Sequence, residues 1–150
     1  MKVHLSTTIH STVLVYVEAD VSEGAGWKGQ LYLLEEAEPK MRAWKATSGP
    51  YGKGAAPRGE YQIARPKEID NSNAAFRDPS GFAWFAALTP TGQPGPAGKL
   101  IPHTDRTGLG IHPDGNVPGT QGCIGVVAKD TRSLFDLLSS AQEPMVLYVV

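Results

Sequence analysis

The chain has a single cysteine, Cys123, in 150 residues. An internal disulfide is excluded, and so is a metal centre built on several thiolates. No apolar run approaches the roughly 20 residues of a membrane-spanning helix. Neither sign of charge dominates: 14 Lys and Arg stand against 15 Asp and Glu, a formal net charge of −1. That balance predicts no basic surface for nucleic acid. The first ten residues, Met1 to His10, lack the basic start and long apolar core of a secretory signal peptide. Work at the periplasmic or cell-wall side of a membrane would then require delivery by a specialised secretion system or by phage lysis.

What is plentiful is glycine and proline, 17 and 12 residues, as expected of many short strands joined by tight turns. The length is that of one domain, 1–150. Residues 12–17 and 30–35 are β-branched or aliphatic strands that predict a hairpin. Residues 42–48 alternate polar with apolar side chains, residues 49–59 form a glycine-rich loop, and a returning strand follows over 59–64. The loop lacks a Gly-Lys-Ser/Thr triplet and leads into no helix, which argues against a nucleotide cradle. Residues 68–80 are polar, with room for one helical turn, and 81–88 form the most apolar strand. Residues 89–98 read as a long surface loop, a binding loop or a plain excursion. After a short apolar stretch at 124–128, Asp130 is positioned to cap a helix over 131–140, and 145–150 form a last strand. The expected fold is mainly β, a sandwich or partly closed barrel with one helix in its C-terminal half.

The chemistry concentrates around Cys123. His112 stands eleven positions before it, and Pro113, Asp114, Gly115, Asn116, Pro118 and Gly119 between them are turn formers. Two strand ends joined by such a loop can bring thiol and imidazole together, the minimum apparatus for a cysteine nucleophile. His112 would serve as base, with Asp114, Asp105 or a backbone carbonyl orienting its second nitrogen. Gly122, immediately before the thiol, permits close approach of substrate and exposes N–H groups for an oxyanion hole, with Gln121 as a further candidate. His4, His10 and His103 read as ordinary surface or core histidines. Zinc is the competing use of His103, Asp105, His112 and Cys123, but their spacing fits no familiar zinc pattern. No metal and no cofactor are expected.

Two regions resemble the L,D-transpeptidase (YkuD-type) catalytic domain. Ala46-Thr-Ser-Gly49 followed by Ala56-Pro-Arg-Gly-Glu-Tyr-Gln-Ile63 is similar to that family's strand, glycine loop and strand. Gly110-Ile-His112 followed by Gln121-Gly-Cys-Ile124 is similar to its histidine and cysteine motifs. The resemblance spans roughly residues 10 to 150. It implies a β-rich fold and a cysteine acyl-enzyme that acts on peptidoglycan tetrapeptide stems, as transpeptidase or carboxypeptidase, with Cys123 as nucleophile and His112 as base. The chain departs from the pattern in three places. Only ten residues, 113–122, separate histidine and cysteine, fewer than usual. Gln121 replaces a second histidine. Gly125 stands where a substrate-binding arginine is usual, which leaves Arg58, Arg106 or Lys129, with Tyr51, as substrate-binding candidates. The compact spacing resembles the L,D-transpeptidase-like effectors of type VI secretion systems, for which an immunity protein would be the partner. The alternative is a non-catalytic cell-wall-binding or phage/secretion structural module, with Trp27, Trp44, Trp84 and Tyr51 as stacking surfaces.

Overall fold

The computed structural model describes residues 12–18, 27–34, 42–49, 51–52, 54–91, 108–115 and 119–150. Arg106, His103, Asp105 and most of the expected 89–98 loop lie outside these. Nine strands are present among the described residues: β1 (Thr12–Glu18), β2 (Trp27–Leu34), β3 (Arg42–Ser48), β4 (Gly59–Ile63), β5 (Lys67–Glu68), β6 (Trp84–Pro90), β7 (Gly110–Pro113), β8 (Ile124–Val126) and β9 (Met145–Val149). One α-helix, α1 (Arg132–Ser140), and a 3₁₀ turn at Ala74–Phe76 complete the described elements.

The sheet runs β4-β9-β1-β2-β3-β8-β7-β6-β5, and a β4–β6 pairing closes eight of the strands into a barrel. The mainly β architecture with one helix is as expected, and the barrel is fully rather than partly closed. The expected β1–β2 hairpin is antiparallel, with Leu14 opposite Leu33. The strand after the glycine loop does not return to its predecessor, however. β3 pairs with β2 and β8, while β4 pairs with β9 and β6. The loop carries the chain across the barrel, because β4 buries Tyr61 and Ile63 beside Leu147 and Leu88.

Period-two alternation fills the interior. Leu14, Tyr16, Leu31, Leu33, Tyr61, Ile63, Trp84, Ala86, Ile111, Ile124, Val126 and Leu147 all belong to one buried cluster. A smaller cluster of Val13, Val15, Val146 and Tyr148 covers the other face of β1 and β9. Both faces of these two strands are therefore apolar, which explains their unbroken hydrophobic sequences.

The helix lays Leu134 and Leu138, one turn apart, on the barrel. Phe135 meets Phe82 and Trp84 edge-on, with centroids 5.0 and 5.9 Å away. Its start differs from expectation. Asp130 accepts a hydrogen bond from Arg132 N at 2.9 Å, but the capping position belongs to Thr131. The Thr131 side chain makes no cap bond of its own, because Asp78 has recruited it. Asp78 Oδ2 accepts from Thr131 N and Thr131 Oγ1, both at 2.8 Å, while Oδ1 accepts from Ser80 N, Ser80 Oγ and Phe82 N. Trp84 Nε1 donates to the same Thr131 hydroxyl at 2.7 Å. At the other end Arg65 Nη1 donates to the carbonyls of Leu138 and Ser139, satisfying two orphaned acceptors.

Candidate active site

The site forms where β7 and β8 lie side by side. They are parallel, with Ile111 opposite Ile124 and His112 opposite Gly125. Alternation sends Ile111, Ile124 and Val126 into the barrel. His112, Gly125 and, one step before β8, Cys123 therefore take the other face. Histidine and cysteine share that face because the parallel register sets His112 opposite Gly125, two residues after Cys123. Cys123 is partly exposed, and its Sγ donates to Gly108 O at 3.6 Å.

His112 is 5% exposed. Phe76, delivered by the 3₁₀ turn, meets its ring at 73° with centroids 4.4 Å apart. Phe85 from β6 stacks on it at 16° and 6.0 Å. Gly110 makes that stack possible, since a Cβ there would lie 2.2 Å from Cζ of Phe85. His112 Nδ1 and Pro113 O are 2.6 Å apart. A carbonyl only accepts, so Nδ1 carries the proton and Nε2 presents its lone pair. Burial pulls the imidazole pKa down to about 4, against a smaller upward pull from the Pro113 carbonyl. Near pH 7 the ring is a neutral base.

Of the orienting partners expected for His112, the backbone carbonyl takes the role. Asp114 instead ties loops together: its Oδ2 accepts from Thr47 Oγ1 at 3.1 Å and Gly119 N at 3.2 Å. Burial raises the Asp114 carboxyl pKa, opposed by those two hydrogen bonds. Gly122 also departs from its expected role. Its φ is 131°, a region L side chains rarely adopt, so glycine is required there. Its N–H, however, donates to Thr120 Oγ1 at 3.2 Å. That N–H is turned to the protein and is not an open oxyanion donor.

Gly125 has a steric reason. A Cβ at this position would meet Thr120 Cγ2 at 2.9 Å, Asp114 Cβ at 3.0 Å and Thr47 Oγ1 at 3.1 Å. The space that a larger residue would need is occupied, so arginine does not fit without rearrangement. Gly125→Ala is expected to cost about 1–3 kcal/mol through overpacking. A lowered midpoint in urea unfolding would show it, and an unchanged midpoint would mean that the three neighbours yield freely.

The substrate-binding candidates lie at different places. Tyr51 is 38% exposed and stands on the glycine loop, where its N–H donates to Thr120 O at 3.0 Å. Gln121 is exposed and lies over Gly52, where an added Cβ would come within 3.1 Å of the Gln121 Cβ. Arg58 is exposed just before β4, on the stretch that Ala56 N ties to Ser48 Oγ at 2.8 Å. Lys129 is exposed beyond β8, and its carbonyl accepts from Ser80 N. Arg106 lies outside the described residues. Trp84 is wholly buried and Trp44 packs partly buried against the core, so neither offers an open stacking surface. Among the described residues no three of His, Cys, Asp and Glu converge as a metal site, and no helix is long and apolar enough to cross a membrane.

Sequence reasoning did not single out Phe76, Phe85, Ser48, Thr47 or Thr120 as site residues. Thr47 and Ser48 fall inside the first motif region and Thr120 directly precedes the cysteine motif, which is the signal that could have found them. Phe76 sits in a polar stretch that gives no such signal.

The family model for the L,D-transpeptidase catalytic domain (YkuD) matches residues 15–146. No curated protein and no solved structure matches the chain.

Proposed function

The chain belongs to the L,D-transpeptidase catalytic-domain family, and from that premise we propose that it is a cysteine acyltransferase of peptidoglycan stem peptides. The observation that carries this reading is the parallel β7–β8 register, which pairs His112 with Gly125, two residues beyond Cys123. His112 Nε2 takes the proton of the Cys123 thiol as Sγ attacks the carbonyl that follows the L-centre of a tetrapeptide stem. The tetrahedral intermediate collapses, the C–N bond breaks, and D-alanine leaves with the proton returned by His112. The thioester then passes its acyl group to an amine or to water, whose proton His112 accepts, and the thiol is restored. An amine gives a crosslink or an exchanged D-amino acid; water gives a trimmed stem. Tyr51, Arg58 and Gln121 on the flanking loops are the described candidates for holding the stem.

An enzyme of this kind acts at the peptidoglycan layer. The short interval between His112 and Cys123 supports a compact effector delivered by a secretion system or phage lysis, with an immunity protein as its partner. The burial of Trp84 and the packing of Trp44 weigh against a purely glycan-binding module.

The test is incubation with tetrapeptide muropeptides followed by mass spectrometry. Loss of D-alanine, exchange or crosslinking is expected from the native protein and not from Cys123→Ala. Undiminished activity in that variant would overturn the reading.

A further inference from the structure

Cys123 lies between two peptide groups, and each of their carbonyls is held by a hydroxyl with little or no exposure. Ser48 Oγ donates to Gly122 O at 3.2 Å, and Thr120 Oγ1 donates to Cys123 O at 2.6 Å. Ser48 is wholly buried and Thr120 is 6% exposed. A hydroxyl has one proton to donate and two lone pairs to accept with. Thr120 uses all three: Gly49 N donates to it at 3.1 Å and Gly122 N at 3.2 Å, while it donates to Cys123 O. The Thr120 backbone adds a short ladder to the glycine loop, with Thr120 N donating to Gly49 O at 2.8 Å and Tyr51 N to Thr120 O at 3.0 Å.

Fixing the peptide planes on both sides of a Cα fixes the direction of its Cβ. Here that Cβ carries the thiol, and the preceding residue, Gly122, has the wide backbone freedom of a glycine, which these hydrogen bonds narrow to one conformation. We propose that Thr120 is a positioning residue for acyl transfer: its hydroxyl locks the Gly122–Cys123 turn to the glycine loop and so aims the nucleophile. The inference rests on the reading of Cys123 as nucleophile given above. It assigns Thr120 no contact with substrate. It predicts that the attack geometry suffers when the hydroxyl is lost, while ground-state binding of the stem does not.

Thr120→Val keeps the shape and removes all three hydrogen bonds. It is expected to lower kcat for stem-peptide turnover by about 10- to 100-fold, with KM changed by less than about threefold, the pattern of a displaced reacting group. Thr120→Ser retains the hydroxyl and is expected to stay within about threefold of native turnover, a rescue that tracks the hydroxyl and not the packing. Should Thr120→Val not fold, Thr120→Ala leaves room for a water to satisfy the stranded groups, and a loss of about tenfold in kcat with KM held is expected there. Native-like kcat in the folded Val or Ala variant would overturn the proposal, as would a loss confined to KM. Cys123→Ala is run beside them. If it is inactive while Thr120→Val is native-like, the positioning role fails and the acyl-enzyme reading stands. If Cys123→Ala retains turnover, the acyl-enzyme reading fails, whatever Thr120→Val does.

Discussion

Replacing His112 with glutamine is expected to lower stem-peptide turnover by about 10²- to 10⁴-fold, the range that a general base contributes. The effect should fall on kcat, since in the proposed reaction the ring takes and returns protons but holds no part of the stem. The pH profile tests the same residue from another side. Burial between Phe76 and Phe85 brings the imidazole pKa to about 4. The acidic limb of activity assigned to His112 should then appear only as pH falls toward that value. A limb near the ordinary histidine value of about 6.5 would show that the ring is more solvated in solution.

The same burial couples His112 to stability, and the sign follows from which state binds the proton. Above about pH 6.5 the ring is neutral folded and unfolded, so it contributes no pH dependence. As pH falls below that point the unfolded chain takes up a proton that the folded chain refuses, and stability declines. The decline ends near the folded value of about 4. Between pH 6.5 and 5 the native protein should lose about 2 kcal/mol more than His112→Gln in urea unfolding. Parallel losses in the two proteins would mean that His112 titrates normally when folded.

Asp78→Ala should produce the largest loss of stability. One carboxylate, 2% exposed, gathers the backbone N–H groups of Ser80, Phe82 and Thr131 and the hydroxyls of Ser80 and Thr131. It thereby joins the turn before β6, the start of α1 and, through Thr131, the indole of Trp84. Truncation removes five hydrogen bonds and strands the buried N–H groups of Phe82 and Thr131 and the Thr131 hydroxyl, while Ser80 N keeps the Lys129 carbonyl as an acceptor. A cost of at least about 3 kcal/mol is expected, equivalent to a fall in melting temperature of roughly 10 °C for a chain of this size. Burial pushes the Asp78 pKa up, but the hydrogen bonds together outweigh it and hold the value below that of an ordinary carboxyl. Its stabilising contribution is therefore intact above about pH 4 and is lost as pH falls through the lower folded value. This window lies below that of His112, so acid should weaken the protein in two successive steps. A melting temperature for Asp78→Ala within a few degrees of native would show that water replaces the carboxylate with little penalty.

Much of the strand content could be read from the chain because β-branched and aromatic runs carry a local signal. Residues 12–17, 42–48 and 59–64 fall on strands to within a residue or two. Closure of the barrel could not be read. It depends on β4 meeting β6 and β9, pairings between distant segments with nothing in the glycine loop to announce them. The site was legible as a pair of residue types, histidine and cysteine at a loop. The partner of His112 was legible only as a choice among Asp114, Asp105 and a backbone carbonyl, because a main-chain carbonyl such as that of Pro113 leaves no mark in a sequence. Gly122 shows the limit most sharply. In the sequence it reads as room for substrate, but the backbone conformation that requires glycine and the direction of its N–H, toward Thr120, depend on the folded turn. Asp130 had the right chemistry for a cap, yet Asp78, far away in sequence, organises the helix start.

Parallel neighbours usually need a long crossover between them, yet β7 and β8 are joined by ten residues, 114–123. The strands are only four and three residues long, so the return path is on the order of 10 Å, which a short stretch of chain can cover. Loop length and strand register are thus separate variables. The ladder sets His112 opposite Gly125, and the bonds of Thr120 at the end of the connection hold the Cys123 turn. A Gly-Ser segment spliced between Gly115 and Gly119 should be accommodated as slack, which makes this connection a natural port for grafted recognition loops.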